Sequence, residues 1–372
     1  MSRFFDLVSK PAREMGDHVP AQAPKRVPVE ARPRLIKLDS NENPFGPSPC
    51  AIAAMQSALP AANFYPDDDC VELRAKLAAH HGLPVEQVLV TAGSTALLGL
   101  LCQTMLAPGL NAVTSERSFI AYAMAVHATG AQLIEAPMRE DGFDLDAILA
   151  AINERTRLVF LANPNNPTGS VVDASTVEKF IAEVPAHVVV VLDEAYYEYA
   201  MHFATVRKAA YSGSLYFLRQ GASVIVLRTF SKAHGLAGLR VGYGLGPAEL
   251  LAYCARMRDT FSVSSVAQAA AMDALDDSEW VARIVAKNAE QAEILDAGLS
   301  KLGYRVVPTA ANFVYCDLGE DAFGFAQRLR GEGVSVRPLG GWGAPTCVRV
   351  SIGTPEQNQF FLNAARKIAG GA

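Results

Sequence analysis

Paired cysteines, long apolar runs and a strong excess of charge are all missing from this 372-residue sequence, and each absence removes a class of function. The six cysteines (Cys50, Cys70, Cys102, Cys254, Cys316 and Cys347) are far apart and form no Cys-x-x-Cys pair. That excludes a disulfide scaffold and a zinc knuckle, and it predicts mostly small buried apolar residues in a reducing compartment. The seven histidines form no His-Glu-x-x-His or comparable ligand set, so no metal is expected. No stretch approaches the ~18 consecutive apolar residues of a membrane span; the densest, Val188 to Leu192, is the length of a strand. A formal net charge of −5 supplies no electrostatic reason for a nucleic-acid or acidic-membrane partner. Arg3, Lys10 and Arg13 near the start are followed by no apolar segment, so no secretory signal is expected and the chain reads as cytoplasmic.

What is present is a sequence that can bury a large core: 50% of the residues are hydrophobic and 19% charged. The length suits about two domains. From about Val85 onward, short apolar runs alternate with helical stretches, the rhythm of an α/β unit with a largely parallel sheet. Strands are expected at Gln87–Thr91, Ala131–Pro137, Leu158–Ala162, Val188–Leu192, Ser223–Leu227 and Arg240–Gly244, with a buried helix over Thr95–Met105. Beyond about Thr260 a long helical region, Val266–Leu302, leads into strands at Tyr304–Pro308, Asn312–Asp317, Val334–Arg337 and Cys347–Ile352, the pattern of a smaller α+β unit. The expected division is an N-terminal arm over 1–45 contributing to the small domain, a large domain over 46–257 and a small domain over 258–372. The arm is Pro-rich and irregular.

Ligands of open α/β sheets gather beyond the carboxyl ends of the strands, and four unusual clusters follow strands here. Ala92-Gly93-Ser94-Thr95 joins a strand to a helix; backbone N–H groups, a glycine and two hydroxyls suit a phosphate, and equally a tight turn with a helix cap. Asn163-Pro164-Asn165-Asn166-Pro167-Thr168-Gly169 is a stiff loop carrying amide side chains, or a structural turn. Asp193-Glu194-Ala195-Tyr196 leaves a buried strand, where an unpaired carboxylate is costly unless it meets a cation; the alternative is an exposed loop acid. Finally, Arg228-Thr229-Phe230-Ser231-Lys232-Ala233-His234-Gly235 runs on to Arg240, setting Lys232 among hydroxyls and small residues directly after an apolar strand rather than on an ordinary solvated surface.

Taken together, these motifs resemble the class I/II aminotransferases of pyridoxal-phosphate fold type I, and within them the histidinol-phosphate aminotransferase branch. The similarity also includes Asp39-Ser-Asn-Glu-Asn-Pro-Phe-Gly-Pro-Ser-Pro49, Tyr65-Pro66 and Val348-Arg-Val-Ser-Ile-Gly-Thr354, in family order over about residues 35 to 365. The resemblance implies pyridoxal 5'-phosphate as cofactor, carried by Lys232 as a Schiff base, with Lys232 also moving the α-proton. It implies Asp193 on the pyridinium nitrogen, Asn166 and Tyr196 on the phenolic oxygen, and Tyr122 stacked on the ring. Gly93, Ser94, Thr95, Thr229, Ser231 and Arg240 would hold the phosphate, reached also by Tyr65 from a partner subunit of a homodimer. Arg349 would clamp the α-carboxylate, with Arg337 and Asn43 completing the substrate site. The reaction implied is ping-pong exchange between an amino donor and a 2-oxo acid.

The substrate is less sharply specified. Arg337 matches the position that contacts the phosphate of histidinol phosphate, and a strand-end arginine paired with a surface acid would look the same. A Pro-Tyr-x-Pro-Gly-Lys-like N-terminal segment is replaced by His18-Val19-Pro20-Ala21, and Pro338-Leu-Gly-Gly-Trp-Gly343 departs from the family's continuation, so that Trp342 could line an apolar pocket. His234 replaces the usual phenylalanine. Histidinol phosphate, with 2-oxoglutarate as acceptor, is the first reading. An aromatic-amino-acid transaminase is the alternative, followed by a threonine-phosphate-type decarboxylase and a non-catalytic cofactor-binding module.

Overall fold

A computed structural model describes residues 8–14 and 35–370. The segment His18-Val19-Pro20-Ala21, with most of the expected N-terminal arm, lies outside the described residues.

In chain order the strands are β1 (Ile36–Leu38), β2 (Val88–Thr91), β3 (Asn111–Ser115), β4 (Gln132–Ala136), a hairpin of β5 (Met138–Arg139) and β6 (Gly142–Phe143), β7 (Thr156–Ala162), β8 (Val189–Asp193), β9 (Val224–Thr229), β10 (Gly242–Leu245), β11 (Arg305–Val307), β12 (Phe313–Asp317), β13 (Val334–Pro338) and β14 (Cys347–Ser351). Seven of them form a sheet in the order β2-β10-β9-β8-β7-β3-β4. The central strands β7, β8 and β9 are continuous Val/Leu/Ile runs rather than alternating ones because both faces of the sheet are covered, and their residues are almost all buried. Asn-Ala-Val-Thr-Ser carries only one strongly apolar residue, so β3 is not legible in the sequence. Its parallel pairing between β4 and β7 buries it nevertheless.

Only β10 runs against its neighbours, β2 and β9. The carboxyl ends of the other six strands therefore share one edge, and the residues leading into β10 reach that same edge. Arg240, two residues before β10, is delivered there by topology alone.

The second sheet, β1-β13-β14-β12-β11, is antiparallel except for β1 beside β13. Its core of Val314, Val348, Val350, Phe325 and Phe361 packs against Leu295 and Leu299 of a long helix. The helical region expected over Val266–Leu302 is in fact two helices, Ser265–Asp276 and Ser278–Ser300. Asp277 divides them, and its carboxylate caps the second by accepting from the Trp280 N–H at 3.1 Å. Among the described residues no helix is long and apolar enough to cross a membrane, and no group of His, Cys, Asp and Glu could hold a metal ion.

Candidate active site

A cavity of about 220 Å³ opens at the shared strand edge, between the two sheets. Ser94, Thr95, Asn166, Asp193, Tyr196, Thr229, Ser231, Lys232, Arg240 and Arg349 all line it, and so do Ser40, Asn41 and Phe119. Nearly every sequence cluster thus converges on one space, because each follows a strand ending there.

One end of the cavity is built from donors. Ser94 and Thr95 open the helix Ser94–Met105, whose first backbone N–H groups lack partners within the helix. Gly93 precedes them at φ +84, and a Cβ there would stand 2.5 Å from Nη2 of Arg240. Glycine is therefore required by the backbone, and its missing side chain lets the guanidinium stand this close. Arg240 donates to Oγ of Ser231 at 3.3 Å, and the Ser231 N–H donates to Oγ1 of Thr229 at 3.1 Å. Hydroxyls, a guanidinium and a helix start make a site for a dianion.

The opposite end is acidic. Asp193 closes β8 and is buried, accepting from the Tyr122 hydroxyl at 2.9 Å and the Ala195 N–H at 3.2 Å. Its neighbour Glu194 is also buried but has its cation: Arg228 donates to it at 2.8 and 3.1 Å while lying over the Tyr197 ring. No cation lies within 4 Å of Asp193 among the described residues. Burial accordingly pushes its carboxyl up to about 6, against the pull of the Tyr122 hydroxyl.

Between the two ends stands Lys232. Its Nζ donates to the Asn41 carbonyl at 3.1 Å. Burial, with the charges of Arg349 and Arg240 adding to it, brings its ammonium down to about 8. The amine thus loses its proton far more readily than a surface lysine. Tyr196 offers its hydroxyl nearby and accepts from Nδ2 of Asn41 at 3.0 Å. Arg349, on β14, donates to Oδ1 of Asn166 at 2.5 Å and to the Asp39 carbonyl at 2.8 Å. Its Nε is buried without a partner among the described residues. Burial brings Arg349 down to about 10, and the charge of Arg337 pulls the same way.

Three expectations are changed or displaced by the geometry, and Tyr65, expected to act in a partner's site, lies off this chain's own cavity. Tyr122 does not line the cavity: its ring lies parallel to Phe160 at 4.8 Å and its hydroxyl is on Asp193, so the aromatic wall is Phe119, one turn earlier. Asn43 is withdrawn, its amide spent on the Ala233 carbonyl at 3.0 Å and the Phe45 N–H at 2.9 Å; Asn41 occupies the cavity instead. Arg337 is exposed and off the cavity wall, but it is the direct cross-strand partner of Arg349. Tyr65 is 82% exposed, outside this chain's own cavity, and stacks on Phe261 at 4.5 Å. Phe119 and Asn41 both lie inside motifs that the sequence marks out, next to the residues expected in their place. His234 sits behind the lysine loop with Nε2 3.6 Å from Glu198.

These residues fit pyridoxal phosphate on their own chemistry. A dianion cradle stands at one end, a buried carboxylate without a cation at the other, an amine between them and an aromatic wall at Phe119. The buried unpaired acid is the decisive feature, because a protonated ring nitrogen is the partner it lacks.

Comparison with known proteins places these observations in a family. Residues 33–364 match the model of the class I and II aminotransferases. A histidinol-phosphate aminotransferase 2 of Pseudomonas aeruginosa is 42% identical over 376 residues, covering 99% of both chains. A histidinol-phosphate aminotransferase of Moorella thermoacetica is 42% identical over 335 residues, covering 90% of this chain and 85% of the other. The crystal structure of histidinol-phosphate aminotransferase from Sinorhizobium meliloti in complex with pyridoxal-5'-phosphate superposes with a TM-score of 0.88 at 29% identity, covering 100% of this chain and 98% of the other.

Proposed function

The chain belongs to the class I and II aminotransferases and depends on pyridoxal phosphate, and from that premise we propose that its amino donor is histidinol phosphate and its acceptor 2-oxoglutarate. The observation that carries this reading is a pair of guanidiniums. Arg337 and Arg349 are register partners on β13 and β14, and neither forms an ion pair among the described residues. One cation in the cavity wall and a second beside it on the neighbouring strand suit a substrate with anionic groups at two places, such as a phosphorylated donor and a dicarboxylic acceptor. The relatives named above for histidinol phosphate agree with it.

The roles proposed for the residues follow from their positions. Ser94, Thr95, Thr229, Ser231 and Arg240 hold the cofactor phosphate, with Gly93 giving the room. Asp193 would hold the ring nitrogen, Phe119 would lie against the ring, and Asn166 and Tyr196 would offer donors to its phenolic oxygen. When bound, pyridoxal phosphate supplies an electrophilic carbonyl and a ring that draws charge from the donor's α-carbon. Lys232 carries the cofactor and moves the proton at that α-carbon, a task suited to an amine that burial has made easier to deprotonate. Arg349 fixes the carboxylate of an amino or oxo acid through two N–H groups, while Arg337 meets the donor's phosphate. Donor and acceptor use one site in turn, so the kinetics are ping-pong.

A homodimer completes the proposal, with Tyr65 reaching the partner's phosphate site. Tyr65, Phe64 and Phe261 form an exposed aromatic cluster suited to burial against a second copy. The cysteines, all free, suit a cytoplasmic location.

The test is a single-turnover reaction followed by the visible absorbance of the bound cofactor, with histidinol phosphate, phenylalanine and phosphothreonine added separately. Histidinol phosphate is expected to react fastest. In Arg337→Ala its KM should rise about tenfold or more with kcat little changed, and the phenylalanine reaction should not move. Faster turnover of phenylalanine would overturn the choice of donor, and release of carbon dioxide would mark a decarboxylase.

A further inference from the structure

Five side chains of alternating charge run from the large sheet to the small one. Glu116 accepts from Arg117 at 3.2 Å, and Arg117 donates to Oδ1 of Asp141 at 3.0 Å. Oδ2 of Asp141 accepts from Arg305 at 2.6 Å, and Arg305 reaches Asp317 at 3.5 Å. Glu116 and Arg117 follow β3, Asp141 lies in the turn between β5 and β6, and Arg305 and Asp317 are register partners on β11 and β12. The ladder therefore crosses from one sheet to the other at a single carboxylate. That carboxylate is 8% exposed, against 56% for Arg305, so its two contacts are the least screened members of the series. The Arg117 guanidinium also lies close to Tyr315 of β12, whose hydroxyl donates to Sγ of Cys347.

Arg117 is close to the site in sequence and in space. Its backbone is in the left-handed region at φ +49, and its carbonyl accepts from Nδ2 of Asn165 at 3.1 Å. Ser118 donates to Oδ1 of the same asparagine at 3.1 Å, and the next residue is the cavity aromatic Phe119. On the small-sheet side, Tyr315 is the register partner of Arg349. The ladder thus joins the loop that carries Phe119 to the sheet that carries the carboxylate-binding arginine.

We propose that Asp141 is a positioning residue for substrate binding, holding Arg117 and Arg305 together so that the Phe119 loop and Arg349 keep their separation. This rests on the aminotransferase reading above for its kinetic consequence, though not for the brace itself. An isolated surface ion pair would contribute little. Here one buried carboxylate serves two guanidiniums, and its removal would leave them facing each other with only the more exposed carboxylates of Glu116 and Asp317 to offset them. The substrate bridges the two units that the ladder joins, so slack between them should weaken binding more than it slows the chemistry.

Asp141→Asn keeps the shape of the side chain and removes its charge; Asp141→Ala removes both. In the cofactor-loaded Asn variant, KM for the 2-oxo acid should rise about tenfold while kcat stays within about threefold. Amide hydrogen exchange at residues 117–119 should quicken about tenfold in the same variant. Cofactor affinity, read from the visible absorbance, should not change. Unchanged exchange would overturn the brace, and faster exchange with unchanged KM would overturn its role in substrate binding. A parallel fall in kcat and cofactor affinity would make Asp141 a general stabilising residue instead and so overturn the proposal. If the Ala variant does not fold, the Asn variant decides alone. A wild-type protein that bound no cofactor would defeat the functional reading, and the exchange measurement would still decide the brace.

Discussion

Replacing Lys232 with alanine is expected to lower kcat at least about 10⁴-fold while leaving the protein folded. Two losses combine in that number. The variant has no amine to carry the cofactor covalently, and it has no base at the donor's α-carbon. Neither neighbour can substitute: Arg349, though brought down to about 10, stays protonated at neutral pH, and the hydroxyl of Tyr196 is held above its ordinary range by burial. The fold should not suffer in proportion. An ammonium whose pKa is lowered on folding, here to about 8 from 10.5, weakens the folded state at any pH where it is charged, and alanine removes that strain. The cofactor should still bind, without its covalent link, through the phosphate donors and Asp193. Single-turnover kinetics and a thermal melt of the same preparation decide the matter. Turnover within tenfold of wild type would mean that Lys232 is not the reacting amine.

Asp193→Asn should separate activity from stability in opposite directions. Its carboxylate is proposed to sustain positive charge on the ring nitrogen, and an amide cannot, so kcat should fall about 10²–10³-fold. The cofactor-free protein should meanwhile become more stable at neutral pH. The sign follows from linkage: a carboxyl raised on folding from 3.8 to about 6 favours the folded state while protonated, and that advantage is lost as pH rises through 6. At pH 7 the wild-type group is ionised at a cost of about 3 kcal/mol, which the amide does not carry. The amide of the variant can still meet both partners, its oxygen accepting from the Ala195 N–H and its NH2 donating to the Tyr122 hydroxyl, which turns from donor to acceptor. Urea denaturation of both cofactor-free proteins should show the variant ahead at pH 7, with the gap closing towards pH 4. A variant less stable than wild type at pH 7 would contradict the premise that this acid is strained without its partner.

Much of this protein was legible in its residues before any coordinates. The Val/Leu/Ile runs specified parallel strands buried on both faces, and the fold class followed from their alternation with helices. What came after each strand then marked the strand ends as the place of chemistry: Ser94 after β2, Asn166 after β7, Asp193 at the end of β8 and Lys232 after β9. These are local facts, set by propensity and by the rule that a polar group leaving a core needs a partner.

What local pattern left open was decided by pairing between distant segments. Phe119 and Tyr122 lie a single turn apart and both are aromatic, so periodicity alone cannot say which one faces the cavity. The stacking of Tyr122 on Phe160 and its hydrogen bond to Asp193 decide it. Asn41 displaces Asn43 because Lys232, 191 residues later, and Ser351, 310 residues later, both bond to Asn41. Arg240 reaches the donor-rich end of the cavity because β10 runs antiparallel, and Arg337 stands beside Arg349 because β13 pairs with β14. Asp141 draws no attention in the sequence at all, a turn acid among many, until two arginines from separate units meet on it. A residue's own neighbours in the chain determine whether it lies in a strand, a turn or a helix; which side chains share a cavity depends on sheet order and register, through contacts whose partners are hundreds of residues away.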